Sequence, residues 1–407
     1  MATSSRQGTR ALSWLWGPAF VASVAYVDPG NVAANLTSGA RYGYRLVWVL
    51  VLANLTAMVV QYLSAKLGLV MRVSLPELLG QRLRPTPRVL YLVQAEIVAI
   101  ATDLAEVIGG ALALQILFGL PLIVGGVIVG VVSIGLLVIQ SKRGETAFEH
   151  VIIGLLMIIA LGFVTGLFYV HVDWGQAARG LVPGFAGQES VLLAASMLGA
   201  TVMPHAIYAH SSLALDRYGA VDKPDLKRVL HGTQVETGVA MLLAGAVNVA
   251  MLLLAAAALP GVAGTDSILG AHAAISTKLG APVGAIFAVG LLASGLASTS
   301  VGAYAGTTII HGLTRRKVPI MAMRLVTLVP ALALLAVGAE PTWSLVISQV
   351  VLSVGIPFAL IPLVHLSSSR AMGAYANRLP LRLIAWLAVA AIVALNLALI
   401  WLTVAGG

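Results

Sequence analysis

The sequence predicts an all-α polytopic membrane protein with eleven transmembrane helices, of which the first and sixth are discontinuous. Three observations predict it. Apolar residues make up 59% of the 407-residue chain and charged residues only 10%, against roughly 25% charged in an ordinary soluble domain. The apolar runs are long and do not alternate, so they read as helices and not as barrel strands. Two of the runs are interrupted halfway by proline beside polar side chains, in "AYVDPGNVAANLTSG" and "LGATVMPHAIYAHSS".

The eleven segments run near 14–39, 46–71, 89–118, 121–140, 150–171, 190–215, 232–258, 281–312, 320–337, 343–366 and 383–404. Each approaches or exceeds the roughly 20 apolar residues that a span needs. The first follows Arg6 and Arg10, an arrangement that also opens a signal peptide. No small-residue cleavage site closes it, and the run continues past Asp28, so it reads as a span. The gaps are too short for a soluble domain. The chain is therefore a single membrane domain, 1–407. Its spans fall into a first group of five (14–171), a second group of five (190–366) and an additional helix (383–404). The sequence contains no cysteine, which excludes disulfides, thiolate metal sites and lipidated cysteines. The sequons at Asn35 and Asn54 lie inside spans and are chance matches.

Basic residues set the orientation. With the N-terminus inside, 18 of the 24 Lys and Arg fall on inner segments, including Arg6, Arg10, Lys223 and Lys317. Four fall outside: Arg41, Arg45, Arg179 and Lys278. This split follows the positive-inside rule, and one missed span would scramble it. The expected topology has a cytoplasmic N-terminus and an external C-terminus. The net charge of +9 is then a property of inner loops and no sign of nucleic-acid binding.

Polar groups at membrane depth are costly and mark function by default. Asp28-Pro29-Gly30-Asn31 should break span one, because proline lacks a donor and glycine tolerates unusual dihedrals. Unwound backbone is tolerated in a bilayer only where it lines a buried or wet cavity. Span six breaks at Met203-Pro204-His205, with His210 further on. The two breaks occupy corresponding places in two five-span halves. That is the sequence pointer to an inverted-repeat secondary transporter with its site at the midplane. The oxygens of Asp28 and Asn31 suit many divalent cations, whereas the Met203 thioether favours softer transition metals over Ca²⁺ or Mg²⁺. One carboxylate leaves a divalent ion with net positive charge, which suits passage better than storage. A membrane metalloenzyme would need His-rich ligation such as HExxH, and the sequence has none.

Span three carries Glu96, Asp103 and Glu106 within roughly 80° of one another on a helix. Arg324 of span nine is a candidate partner. Such a stripe reads either as an ion or proton route or as a structural salt-bridge network. Gln61, Asn248 and Gln349 are further intramembrane amides able to bond unwound backbone, and Gln349 is able to reach an ion at Asp28.

These residues resemble the Nramp family of divalent metal transporters, closest to the bacterial proton-coupled manganese transporters. The resemblance runs from about residue 17 to 362. It is carried by the two broken-helix motifs and by "LSAKLGL", "QAEIVAIATDLAEVIGGA", "GLASTSVGAYAG" and "SQVVLSVGIPFALIPL". It implies a LeuT-like 5+5 inverted repeat. It implies metal ligation by Asp28, Asn31 and Met203, with the Ala200 carbonyl, the Ala25 carbonyl and Gln349 joining in some states. It implies proton movement through Asp28, His205, Asp103, Glu106 and Arg324, with Glu96 and His210 as further candidates. The family often has two arginines at the start of span nine, where this chain has Met323-Arg324. The expected function is proton-coupled import of Mn²⁺ and Fe²⁺ across a bacterial cell membrane by alternating access, with no permanent cofactor. The partners are metal ions, protons and the lipid bilayer; the oligomeric state is left open, a monomer being compatible with the sequence. The competing reading is a cation-coupled transporter of an amine or amino acid on the same fold.

Overall fold

A computed structural model describes residues 17–219, 225–316 and 318–405. Residues 14–16 of the first expected span, and Arg6, Arg10, Lys223 and Lys317, lie outside the described residues. The described chain is almost wholly helical: α1 (Pro18–Val24), α2 (Pro29–Tyr42), α3 (Val47–Met71), α4 (Leu75–Arg82), α5 (Pro85–Phe118), α6 (Leu122–Arg143), α7 (Glu145–Val164), α8 (Trp174–Arg179), α9 (Gln188–Thr201), α10 (Pro204–Tyr218), α11 (Leu226–Ala258), α12 (Ile268–Leu279), α13 (Ala281–Thr314), α14 (Ile320–Ala336), α15 (Pro341–Ser367) and α16 (Leu379–Ala405).

The expected spans appear in order. Span one is α1 plus α2, joined by a 3-10 turn over Ala25–Val27 and the extended residue Asp28. Span six is α9 plus α10, joined through Val202 and Met203. The remaining nine are α3, α5, α6, α7, α11, α13, α14, α15 and α16. Several helices start before the apolar segment does. α11 begins at Leu226 and carries Lys227, Arg228 and His231 before the first apolar stretch. Hydropathy marks the depth of hydrocarbon, whereas a helix continues into water until a cap or proline stops it.

Three short helices escape the apolar pattern. α4 has a capping box: the Ser74 hydroxyl accepts from Glu77 N–H, and the Glu77 carboxylate accepts from Ser74 N–H. α8 and α12 start on Asp173 and Ser267, whose side chains accept from Gln176 and Gly270 N–H.

Large apolar side chains cover the outside of the bundle, such as Leu90 (68% exposed) and Leu387 (70%). Water would penalise such a belt and lipid does not. Inside, α13 runs along α5 and α7, and small residues set the spacing. Gly295 of α13 lies against the backbone of Glu106 and Gly110, and a Cβ at Gly109 would overlap the Pro29 ring. The long helix α5 is thereby held directly against the break in span one.

Candidate functional site

Asp28 begins α2. Its backbone is extended (φ −69°, ψ 167°), and its Oδ1 accepts from Asn31 N–H at 2.9 Å. Asp-Pro is a good helix start, because Asp caps free N–H groups and proline at the first position has none to leave unpaired. The residues that break span one are thus the start signal of its second half. The Asn31 amide nitrogen also donates to Asp28 Oδ1, and to the Ala200 carbonyl at 3.0 Å. Its oxygen accepts from Thr201 Oγ1 at 3.2 Å. The two broken helices therefore meet through three of the predicted ligand residues, Asp28, Asn31 and Ala200.

Met203 sits in the second break, wholly buried, with extended backbone (φ −78°, ψ 119°). Ala25 lies in the 3-10 turn. The unwound backbone around it is bonded from neighbouring helices: Asn248 Nδ2 donates to Tyr26 O at 2.7 Å, and Ser294 Oγ to Val27 O at 2.6 Å. Asn35, one of the sequon asparagines, is buried and donates to Asn248 Oδ1 at 2.8 Å. Gln349 of α15 lies over Gly30, where a Cβ would strike its amide. Neither its nitrogen nor its oxygen has a hydrogen-bond partner among the described residues.

A cleft of about 560 Å³ leads to Gly30 and Gln349. Its far end is rimmed by Arg41, Glu189, Asp266 and Glu340. Arg41 bridges Glu189 (3.7 Å) and Asp266 (3.6 Å) across that rim. At the opposite ends of the broken helices, polar contacts tie the described helices together. Glu236 of α11 accepts from Ala19 N–H at 3.1 Å, capping α1. Arg217 of α10 meets Glu149 of α7 at 3.7 Å, and Tyr304 of α13 donates to Asp216 at 2.9 Å.

The acidic stripe is partly realised. Asp103 forms a buried ion pair with Arg324 and accepts from Thr299 Oγ1; Arg324 Nε donates to Ser133 Oγ at 2.7 Å. Glu106 is wholly buried, within electrostatic reach of Asp28, Asp103 and Arg324, and its carboxylate has no hydrogen-bond partner among the described residues. Glu96 is half-buried and is not drawn into this group by any described hydrogen bond or ion pair. His205, in the first turn of α10, is buried with neither ring nitrogen bonded among the described residues. His210 Nδ1 donates to Gln61 Oε1 at 2.9 Å, and Gln61 Nε2 donates to Tyr26 Oη at 2.7 Å. Of the three amides expected to serve unwound backbone, Asn248 does so, Gln61 bonds side chains instead, and Gln349 does neither. Thr201, Thr299, Ser133 and Glu236 completed these networks without a sequence signal for it. Small hydroxyls in apolar helices look the same whether they bond a carboxylate or their own backbone.

Two interrupted helices meeting at a polar point, with a cleft leading to it, define a LeuT-like membrane transporter. The family model for natural resistance-associated macrophage protein-like chains, Nramp, matches residues 19–402. The chain is 55% identical over 408 residues to the divalent metal cation transporter MntH of Mycobacterium tuberculosis, covering 100% of this chain and 95% of that one. Its structure is similar to a crystal structure of the manganese transporter of Eremococcus coleocola, with TM-score 0.86 and 27% identity, covering 98% of this chain and 87% of that one. MHP1, a nucleobase-cation-symport-1 family transporter, shares the fold alone, with TM-score 0.58 and 15% identity over 94% of this chain and 90% of that one. The chain belongs to the Nramp family. It is a multi-pass membrane transporter and not an enzyme.

Proposed function

We propose that this chain imports divalent transition metal ions, Mn²⁺ and Fe²⁺, together with protons, by alternating access across a bacterial cell membrane. One observation carries the reading. The Asp28 carboxylate, the Asn31 amide and the Ala200 carbonyl converge where the two broken helices meet, under the Gln349 amide and at the end of the cleft. Asp28 supplies the charge that draws a cation from water. Met203 adds the soft donor that favours transition metals over Ca²⁺ and Mg²⁺. Gln349 and the Ala25 carbonyl complete the shell in particular states. In the arrangement described, Asn31 turns its NH₂ to the oxygens, so ligation by its oxygen requires the amide to rotate.

The cleft rim carries segments that the positive-inside rule assigns to the outside, so this conformation is outward-facing. The two repeats are residues 14–171 and 190–366, with 383–404 appended. The N-terminus is cytoplasmic and the C-terminus external. Protons leave Asp28 by way of His205, Glu106, Asp103 and Arg324, with His210 and Glu96 as subsidiary groups. A membrane potential aids entry by about 2.3 kcal/mol per charge per 100 mV, and metal and proton both benefit.

The test is uptake of radiolabelled Mn²⁺ and Fe²⁺ into proteoliposomes with an imposed pH gradient, beside radiolabelled amino acids. An inward proton gradient should accelerate metal uptake, and metal addition should acidify the lumen. Gradient-independent uptake would remove the coupling. Amino-acid uptake without metal uptake would replace the reading with its competitor.

A further inference from the structure

Two prolines, Pro357 and Pro362, lie inside α15. A proline has no N–H, so the carbonyl four residues earlier loses its helical donor. Those carbonyls belong to Ser353 and Phe358. At bilayer depth such an oxygen persists only where the protein supplies a partner. Both partners come from other helices. Asn396 Nδ2 of α16 donates to Ser353 O at 3.0 Å, and both residues are buried. Tyr91 of α5 donates to Phe358 O and is itself bonded to the Tyr208 hydroxyl of α10.

Gln349 stands one helical turn before Ser353. Its amide has no hydrogen bond of its own among the described residues, so the backbone of α15 fixes where it reaches. Asn396 also approaches Gly199, the residue before Ala200, so its amide fills the seam between α15 and α9.

We infer that Asn396 is a positioning residue for cation recognition: it pins α15 at the carbonyl that Pro357 leaves open and so sets the reach of Gln349 toward Asp28. The inference rests on the reading of Asp28 and Gln349 as cation ligands. It gives α16, the helix outside the two five-span groups, a part in a site it does not touch.

The experiment is Mn²⁺ uptake by proteoliposomes carrying Asn396→Leu in three backgrounds: wild type, Pro357→Ala and Gln349→Ala. In the wild-type background KM should rise about three- to tenfold, the scale of one lost positioning hydrogen bond. With Ala at 357 the helical N–H returns to Ser353 O and the pin is redundant. Adding Asn396→Leu there should move KM by less than about twofold, and likewise in the Gln349→Ala background. An equal fold-change in all three backgrounds, or none in the wild type beside a raised KM in Gln349→Ala, overturns the pin alone. A wild-type KM in Gln349→Ala overturns the ligand reading and the inference with it. If Asn396→Leu does not accumulate in the wild-type background, the pair with Pro357→Ala decides. A KM matching that of Pro357→Ala supports the pin, and failure of the pair to accumulate refutes it.

Discussion

Asp28 has an observed task, the cap of α2, and a proposed one, cation ligation, and a pair of substitutions separates them. As a cap it accepts from the Asn31 N–H and the Asn31 amide. In the proposed role of ligand it contributes a negative charge. Asparagine keeps a capping oxygen and loses the charge; alanine loses both. Caps of Asn and Asp are nearly equivalent, and replacement by Ala costs about 1 kcal/mol. Alanine also leaves the buried Asn31 amide short of one acceptor, costing about 1–3 kcal/mol. Asp28→Ala is therefore expected to destabilise by about 2–4 kcal/mol, and Asp28→Asn by less than about 1 kcal/mol. The charge acts on a different scale. A unit pair 4 Å apart at an effective dielectric of 20 gains about 4 kcal/mol, and a divalent ion about twice that. Even if dehydration offsets most of it, a residual of about 3 kcal/mol is more than a hundredfold in affinity. Both variants should therefore lose Mn²⁺ binding by at least about a hundredfold, while only the alanine variant loses stability. Isothermal titration in detergent and denaturant unfolding of the same samples measure the two effects. Near-normal Mn²⁺ affinity in Asp28→Asn would refute the ligand assignment, and equal stability of the two variants would refute the cap.

Three further outcomes are expected. Met203→Ala should keep Mn²⁺ uptake within about tenfold while admitting Ca²⁺, since the remaining donors are hard oxygens; competition of Ca²⁺ with labelled Mn²⁺ checks it, and unchanged exclusion of Ca²⁺ removes the soft-donor argument. Asp103→Asn leaves the buried Arg324 guanidinium without its counter-charge, a loss of about 3–5 kcal/mol. An Asp103→Leu/Arg324→Met pair should recover most of it in denaturant unfolding, while metal-driven lumen acidification stays impaired in both. Recovery of acidification by the apolar pair would make the ion pair purely structural. Asn248→Leu strands the Tyr26 carbonyl and the Asn35 amide; polar contacts between membrane helices average about 0.6 kcal/mol, so about 1–2 kcal/mol is expected for two. Asn248→Asp keeps the acceptor for Asn35 but buries an unpaired carboxylate against the Tyr26 carbonyl, so it should lose more than Asn248→Leu; wild-type stability of Asn248→Leu in thermal unfolding would contradict the assignment.

Much of the fold could be read because the bilayer restricts the choices. Length of apolar run, basic loops and the two proline breaks point to the same eleven spans. The site was legible to the extent that its residues are expensive at depth. Asp28, Asn31, Asp103, Glu106 and Arg324 stand out from apolar neighbours, and the structure buries all five. Partners that cost little were not legible. Thr299, which donates to Asp103, lies in "LASTSVGAYAG" beside Ser298, which donates to the Val24 carbonyl instead. Only the crossing of α13 over α5 and α1 decides which hydroxyl meets which acceptor. Glu96 is a different case. It shares a helical stripe with Asp103 and Glu106 but lies about 10 Å along the axis from the first of them, and no described hydrogen bond or ion pair joins it to them. The short helices α4, α8 and α12 were missed by hydropathy, although Ser74, Asp173 and Ser267 carried their start signals.

The seven residues of α1 are too few to hold a helix on their own, and the Glu236 carboxylate that receives the Ala19 N–H belongs to a different span. Glu236 and the whole of α1 are buried, so detaching this half-helix strands a carboxylate unless water follows the departing amide in. Under the proposed alternating access, any swing of α1 is thereby tied to the hydration of a carboxylate on another span.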